Sequence, residues 1–396
     1  MSARMLRCEK MKGIRDSCLS YRIMPFAEEK IREMNTRIAS MKGNLAVWGI
    51  GEHTRRLLEY TKILDKNVMF FIDSNARPGM EWYGRKVFSP KDVDLSQVEN
   101  IVISSYKYQD EIEQQIYCRN FEGKIVKFYD SEDEGNFYDL PSVKNFDFYF
   151  SGNFLSWEEA ANAATGYDEE SIVQTILTAT QKVINHEAIF ERDGVCFQKA
   201  EYNFVLLTIF GVCAQNYDTI CIVDFGGALG SEYWRNKNML QRFAADYRWN
   251  VIEQNNYVKI GREYIADEKL RFYNEISEID EDIHIVILSS VLQYLQNYSE
   301  ILTSIIERMP RYILIDRQPV GQNTRICVQH VGENIYKASY PARIIEEREL
   351  KNILEKEYVM LTCFESWADK GKFYVDGVEF QYKGFLFERR STHENA

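Results

Sequence analysis

The sequence predicts an α/β protein of two Rossmann-like, doubly wound parallel sheets in tandem, the second closed by a C-terminal antiparallel hairpin. Three observations predict it. Short apolar strands alternate with helical segments in two separate stretches, a pattern that implies parallel strands joined by right-handed crossovers. Each stretch opens on a strand running into a glycine turn: VWGIGEHTRR from Val47 to Arg56, and CIVDFGGALGSEYW from Cys221 to Trp234. The 396 residues exceed one average domain and suit two or three.

Residues 1–43 form a basic segment; residues 1–42 carry ten Lys and Arg against five Asp and Glu. Within it Phe26, Ile31, Met34, Ile38 and Met41 recur at helical spacing and predict a helix over 26–42, stopped by Gly43. From 44 to 130 the stretches NLAVWGIG, VMFFIDS, NIVISS and KIVKFYD read as strands. EHTRRLLEYTKIL and YQDEIEQQIY read as helices among them, giving a small Rossmann-like domain. Residues 131–150, acidic then aromatic, read as a linker. A helical lead-in follows over 151–218, with helices at 156–164 and 170–185, the second capped by Asp168. The larger α/β domain spans 219–390 and residues 391–396 are a tail. Its strands are ICIVDF, WNVIEQ, LRFYNE, HIVILSS, RYILIDR, YVMLTCF and GFLFERR, the last folding back on the one before.

A net charge of −12 argues against a nucleic-acid partner, whose binding is driven by phosphate neutralisation. The basic N-terminus reads as a solvated arm or as a peripheral contact for anionic lipid or a diphosphate. Eight scattered cysteines without a C-x-x-C pair, and five scattered histidines, predict no metal site and no disulfide framework. The N-terminus lacks the apolar core of a signal peptide, and no run reaches the ~18–20 apolar residues of a membrane span. A cytoplasmic protein is the expectation. The 25 Tyr and 23 Phe serve packing, or stacking on sugars and bases.

In a doubly wound sheet the ligand lies beyond the carboxyl ends of the strands, where strand order switches. The first strand of the larger domain ends in Asp224, Gly226, Gly227 and Gly230, glycines that let the backbone approach a ligand. The second ends at Glu253, a carboxylate able to accept from both ribose hydroxyls. The third ends near Tyr273 and Asn274, beside an adenine ring; the fourth at Ser289 and Ser290; the fifth at Asp316 and Arg317. Glu232, in the first helical turn after the loop, would repel a pyrophosphate and tolerate a cation. S-adenosylmethionine, with a sulfonium and an ammonium and no phosphate, suits that charge better than a dinucleotide.

From Phe148 onward the chain is similar to a family of methyltransferases of bacterial surface-polysaccharide gene clusters. The matching stretches are FSGNFLSWEEAANAATGYD, FERDGVCF, VDFGGALGSEYW, WNVIEQNNYVKIG, ILSSVLQYL, ILIDRQPV, VQHVGENIYKASYPARI and YKGFLFER. The resemblance covers roughly the C-terminal 245 residues and implies a class I methyltransferase fold. It implies that Asp224, Gly226, Gly227, Gly230 and Glu253 hold S-adenosylmethionine and that Ser289 and Gln293 line the methionine or acceptor side. Ala228 stands where the commoner turn has glycine. A sugar, sugar nucleotide or glycan intermediate is the implied acceptor, and Glu191-Arg192-Asp193 an acceptor-side element or lid.

Methyl transfer to oxygen or nitrogen needs alignment and often a base. Asp316 is the first candidate base, or else an ion-pair partner of Arg317 or a neighbouring arginine; His330 is the second, or else a surface or core histidine. Tyr294 and Tyr340 hydrogen-bond or stack on a sugar, or simply pack. Arg317 and Arg343 are candidate substrate contacts, Arg343 for an acceptor phosphate or carboxylate, with a structural salt bridge as the alternative. In the smaller domain the turn from Gly49 to Thr54 lacks a third glycine, and Asp73 follows Gly49 by 24 residues, near the ~20 expected for a ribose acid. This resembles small Rossmann-like domains of sugar-modifying enzymes. It would hold a nucleotide sugar, or NAD(P) for a nicotinamide-dependent oxidoreductase acting on a nucleotide sugar, or be an empty fold used for packing or homo-oligomerisation; Glu52 and Thr54, which break a phosphate cradle, favour the empty fold. A non-catalytic scaffold is the remaining alternative for the whole chain.

Overall fold

A computed structural model describes residues 20–23, 28–105, 108–129, 148–166, 169–331 and 338–390. Most of the basic arm, the linker, the Asp168 cap and the C-terminal tail lie outside these residues. The chain divides into two compact units: Met1–Phe146 with Gly371–Val378, and Asp147–Lys370 with Glu379–Ala396.

The first unit contains β1 (Ser20–Ile23), α1 (Glu28–Ala39), β2 (Asn44–Trp48), α2 (Glu52–Tyr60), β3 (Asn67–Ile72), β4 (Glu81–Trp82), β5 (Arg85–Phe88), β6 (Asn100–Ile103), α3 (Gln109–Tyr117) and β7 (Lys124–Val126). Its sheet runs β4-β5-β3-β2-β6-β7, with every pair parallel except β4 against β5. Along β2, Leu45 and Val47 enter one core and Ala46 and Trp48 the other, so both faces are covered as a parallel sheet requires. The β4–β5 hairpin has no counterpart in the sequence reading, because a two-residue strand leaves no periodicity to detect.

The second unit starts with β8 (Phe148–Phe154), α4 (Trp157–Ala163), α5 (Glu169–Ile184), β9 (Phe190–Arg192), β10 (Val195–Phe197) and α6 (Phe204–Ala214). The segment read as helical thus also carries three short strands. It continues with β11 (Ile220–Phe225), α7 (Ser231–Phe243), β12 (Tyr247–Ile252), α8 (Asn255–Ile260), β13 (Leu270–Tyr273), β14 (Ile285–Ser289), α9 (Tyr298–Glu307), β15 (Tyr312–Gly321), β16 (Arg325–Val331), β17 (Ser339–Glu346), α10 (Glu347–Leu354) and β18 (Tyr358–Glu365). Then come β19 (Lys372–Val375), which belongs to the first unit and pairs antiparallel with β1, and β20 (Val378–Arg389).

The main sheet of the second unit has the order β13-β12-β11-β14-β15-β20-β18. Its first five strands are parallel, and β20 runs antiparallel between β15 and β18. Strand order reverses between β11 and β14, which opens a cleft at their carboxyl ends. Ile220 and Ile222 of β11 face one core while Cys221 and Val223 face the other. This is the class I methyltransferase fold, a mostly parallel α/β sheet ending in an antiparallel hairpin. An antiparallel trio, β8-β16-β17, extends from β15 by parallel pairing of Val320 with Ile345. Among the described residues no helix is long and apolar enough to cross a membrane.

Candidate active site

The glycine loop between β11 and α7 folds back on itself. Gly226 and Gly230 have φ of +72° and +84°, and a Cβ on Gly226 would come within 2.4 Å of Val291 Cγ2. Ala228 also adopts a left-handed φ of +49°, a conformation that costs a non-glycine residue about 1–2 kcal/mol. The Ala228 N–H donates to Glu253 Oε1 at 3.1 Å, and the Gln254 N–H donates to Oε2 at 2.9 Å. The acid at the end of β12 is therefore locked to the loop.

Asp224 is placed differently from the expectation. It is 1% exposed, beneath the loop, where Trp249 Nε1 donates to it at 3.2 Å. A Cβ on Gly227 would lie 2.5 Å from its carboxyl carbon, so Gly227 is required for the loop to close over the acid. Burial, then the nearby Glu232 charge, raise the Asp224 pKa to about 8. Asp224 shapes the loop from below, and any effect on a ligand passes through the loop. Asn274, beyond β13, is exposed at the rim and donates from Nδ2 to the Glu253 carbonyl at 3.1 Å.

Glu232, in the first turn of α7, is paired with Arg235 at 2.5 Å and accepts from Asn236 at 3.2 Å. Its charge is largely spent within the protein, which weakens the sequence argument that it awaits a cationic ligand. The unspent acids are others. Glu191 of β9 is 2% exposed, accepts from the Ser231 hydroxyl at the start of α7 and from the Gly194 N–H, and is pushed up to about 7 by burial. Asp316 is 1% exposed and is likewise raised to about 7, first by burial and then by the Glu232 charge.

Asp316 stands at a β-bulge. The pairing of β15 with β20 slips between Ile315 and Gln318, and Arg317 takes a φ of +53°. Bulges re-aim side chains next to sites. Here Asp316 receives Asn203 Nδ2 at 3.3 Å, Trp367 Nε1 at 3.1 Å and the Arg317 N–H at 2.7 Å. The Arg317 guanidinium turns instead to Asp369, at 2.8 Å, and to Asp193, at 3.1 Å. Asp316 and Arg317 thus do not pair side chain to side chain; the other form of the structural alternative, a neighbouring arginine, is met only by the charge of Arg235 acting on the acid.

At the end of β14, Ser289 sits beside Asp316 in register, and Ser290 donates its N–H to the Asp316 carbonyl. Gln293 is fully buried, donates to Ser290 Oγ at 2.8 Å and keeps Oε1 without a partner. Tyr294 donates to Gln329 Oε1 at 3.0 Å and meets Tyr340 edge to face. These residues gather on one side of the cleft.

Two expected residues are not brought there. His330 follows Gln329 on β16, so strand alternation sends it to the opposite face. It stacks on Tyr149 and shares a 2.8 Å hydrogen bond with Ser151, and burial lowers its pKa. Arg343 donates to the Leu295 and Gln296 carbonyls and lies over Trp157 and Tyr298. It bonds backbone carbonyls rather than an acid, and its role is to tie β17 to the turn after β14. Sequence reasoning missed Asn203, Asn236, Trp249 and Trp367. Asn203 alone carried a local signal, as the N-cap of α6, accepting from Leu206 N.

In the first unit the turn is tied down at Gly49, while a Cβ on Gly51 would meet open space. Gly49 (φ +114°) has Ser104 O within 2.8 Å of a notional Cβ, and Thr54 Oγ1 donates back to Gly49 O. Asp73 accepts from the Ile50 and Asn75 N–H groups. His53 is bonded to Ser104 and Tyr129, and burial lowers its pKa to about 3, so it is neutral.

The sheet order, glycine loop and strand-end acid place the second unit in the class I methyltransferase fold. Residues 41–126, inside the first unit, match the family model described as C2185-like, N-terminal. No curated protein matches the sequence. Among solved structures, the chain is similar to the mitomycin 7-O-methyltransferase MmcR at 16% identity and a TM-score of 0.30, over 47% of this chain and 54% of that one. It is similar to LepI in complex with S-adenosylmethionine at 11% identity and a TM-score of 0.31, over 55% and 64%. A third is the amino pentose methyltransferase of calicheamicin biosynthesis from Micromonospora echinaspora, bound to S-adenosylmethionine, at 7% identity and a TM-score of 0.30, over 47% and 89%. The chain spans about half the length of the mitomycin enzyme. The fold assignment rests on the strand order itself.

Proposed function

We propose that the second unit is an S-adenosylmethionine-dependent methyltransferase whose acceptor is a sugar, sugar nucleotide or surface-glycan intermediate. One observation carries the reading: beside the loop-bound Glu253, the switch point of the sheet also brings Ser289 and Asp316 together at the neighbouring strand ends. The residues fit the group. Glu253 is a carboxylate of the kind that accepts from a ribose diol, Asn274 edges the adenine side, and Gly226, Gly227 and Gly230 keep side chains out of the loop. Asp224 sets the loop's shape, and Ser289 and Gln293 line the methionine or acceptor side.

S-adenosylmethionine, when bound, supplies an electrophilic methyl group on a cationic sulfur. The protein's part is alignment and proton removal. Asp316 is the base: its pKa near 7 leaves a usable fraction ionised at neutral pH yet basic enough to accept a hydroxyl proton. Trp367 and Asn203 hold one of its oxygens, which fixes the direction from which it attacks the proton. Tyr294, Tyr340 and Gln329 offer hydroxyl and amide groups suited to a polyhydroxylated acceptor. Arg317, bound to Asp369 and Asp193, fixes the far wall. The sugar class is supported by the resemblance of the C-terminal stretches. Methyl transfer from S-adenosylmethionine to sugars and sugar nucleotides, followed by release of S-adenosylhomocysteine, tests the reading. Absence of donor binding to the wild-type chain would overturn it.

A further inference from the structure

Three arginines converge on the acceptor side, and two are occupied. Arg235 is paired with Glu232 and lies 4.1 Å over the Trp367 ring. Arg317 is held between Asp369 and Asp193. Arg192 is the third. Its guanidinium sits between two rings, 4.9 Å from Phe197 and 5.1 Å from Trp367. Its Nη1 is buried without a hydrogen-bond partner, and among the described residues no acid lies within ion-pair distance. The acids that act on it do so from further away: Asp369, Asp193 and Glu201, with Arg317 opposing them. Arginine sandwiched by aromatic rings keeps its fork rigid and its N–H donors directed in one plane, a geometry that matches a carboxylate or phosphate.

The placement relative to Asp316 is specific. Trp367 donates to Asp316 through Nε1 and carries Arg192 against its ring, so one indole joins the base and the guanidinium. We propose that Arg192 anchors an oxyanion subsite, and that the methyl acceptor therefore carries a carboxylate or phosphate a few bonds from the atom methylated. The assignment of this anion to the acceptor rests on the methyltransferase reading; the subsite itself does not. Arg317 is shared by two acids, Asp193 and Asp369, so together with Arg192 these charges balance, and Arg192 supplies directed N–H donors for an oxyanion and not a surplus of positive charge.

Calorimetric titration of the full chain with inorganic phosphate and, separately, with acetate tests this. The expected result is saturable binding of at least one anion, weakened about tenfold or more in Arg192→Gln and partly kept in Arg192→Lys. Stronger binding of phosphate than acetate, or the reverse, identifies which oxyanion the acceptor bears. Equal binding by wild type and Arg192→Gln, or no binding of either anion, overturns the proposal. Circular dichroism and S-adenosylhomocysteine affinity are read on the same samples. A folded Arg192→Gln with unchanged affinity for S-adenosylhomocysteine assigns the loss to the anion subsite. If wild type takes anions at Arg192 but no S-adenosylhomocysteine, the subsite stands and the donor reading falls.

Discussion

The two glycine turns of this chain are built alike and placed differently. In each, a strand-end acid one strand over grips the loop. Asp73 accepts from Ile50 N–H at 3.1 Å and from Asn75 N–H; Glu253 accepts from Ala228 N–H at 3.1 Å and from Gln254 N–H. The surroundings diverge. Around Gly49 stand Ser104 and Thr54, with Ser104 also bonded to a neutral His53 that reaches Tyr129. Around Gly226 the next strand ends bring Ser289, Gln293 and a bulged Asp316, with Glu191 and Asn203 arriving from the lead-in. A glycine turn with an acid is thus a fold device; the neighbouring strand ends decide whether it becomes a site.

The largest effect is expected where the two units differ most. Asp316→Asn should lower the methyl-transfer rate by about 10²–10⁴-fold with donor affinity retained, since it removes a general base, although its NH2 must also face one of the N–H donors that Asp316 accepts. His330→Ala, on the opposite face of β16, should leave the rate unchanged; the reverse pattern would exchange the two candidates. Stability against pH comes next. Asp224, raised to about 8, and Asp316 and Glu191, raised to about 7, hold protons in the native state that they lose near pH 4 when unfolded. Their contribution is therefore fully present below about pH 4 and is lost as pH rises through 7 to 8. Thermal melts of the second unit should fall over that window. A cationic donor favours the ionised acids, so its stabilising effect should grow across the same range. Asp224→Asn should flatten the pH dependence.

Smaller effects separate the loops. Asp73→Ala should cost the first unit about 1–2 kcal/mol through two lost N–H acceptors, measured by chemical denaturation, with donor affinity unchanged. Ala228→Gly should stabilise the second unit by less than about 1 kcal/mol, because relief at φ +49° is partly offset by the flexibility of glycine in the unfolded chain.

Much of the architecture was legible in the sequence. Alternating apolar strands and helices gave both parallel sheets, and the closing pair YVMLTCF and GFLFERR forms the β18–β20 hairpin. The position of Glu253 was legible as a strand-end acid following a glycine loop, but Asp73 carries the same pattern, so the pattern marks the turn and not a ligand. Asp316 was visible at its strand end, but the bulge that aims it was not, since a slip in register leaves no mark in composition. Glu191 could be flagged only by resemblance, and Trp367 not at all: both reach the cleft from segments whose tertiary position local pattern does not encode. His330 and Arg343 misled for the opposite reason. Their chemistry suited a site, while strand alternation and backbone carbonyls claimed them. Nor does anything local in Gly371–Val378 mark a segment that pairs with β1 at the far end of the chain.

The central claim is that the second glycine turn holds the methyl donor and the first does not. Titration of S-adenosylmethionine into the full chain, Glu253→Ala and Asp73→Ala by calorimetry tests it most directly. The account predicts one site per chain, weakened about ten- to a hundredfold by Glu253→Ala, which removes hydrogen bonds to a charged acceptor, and untouched by Asp73→Ala. Binding that survives Glu253→Ala and disappears with Asp73→Ala would contradict it.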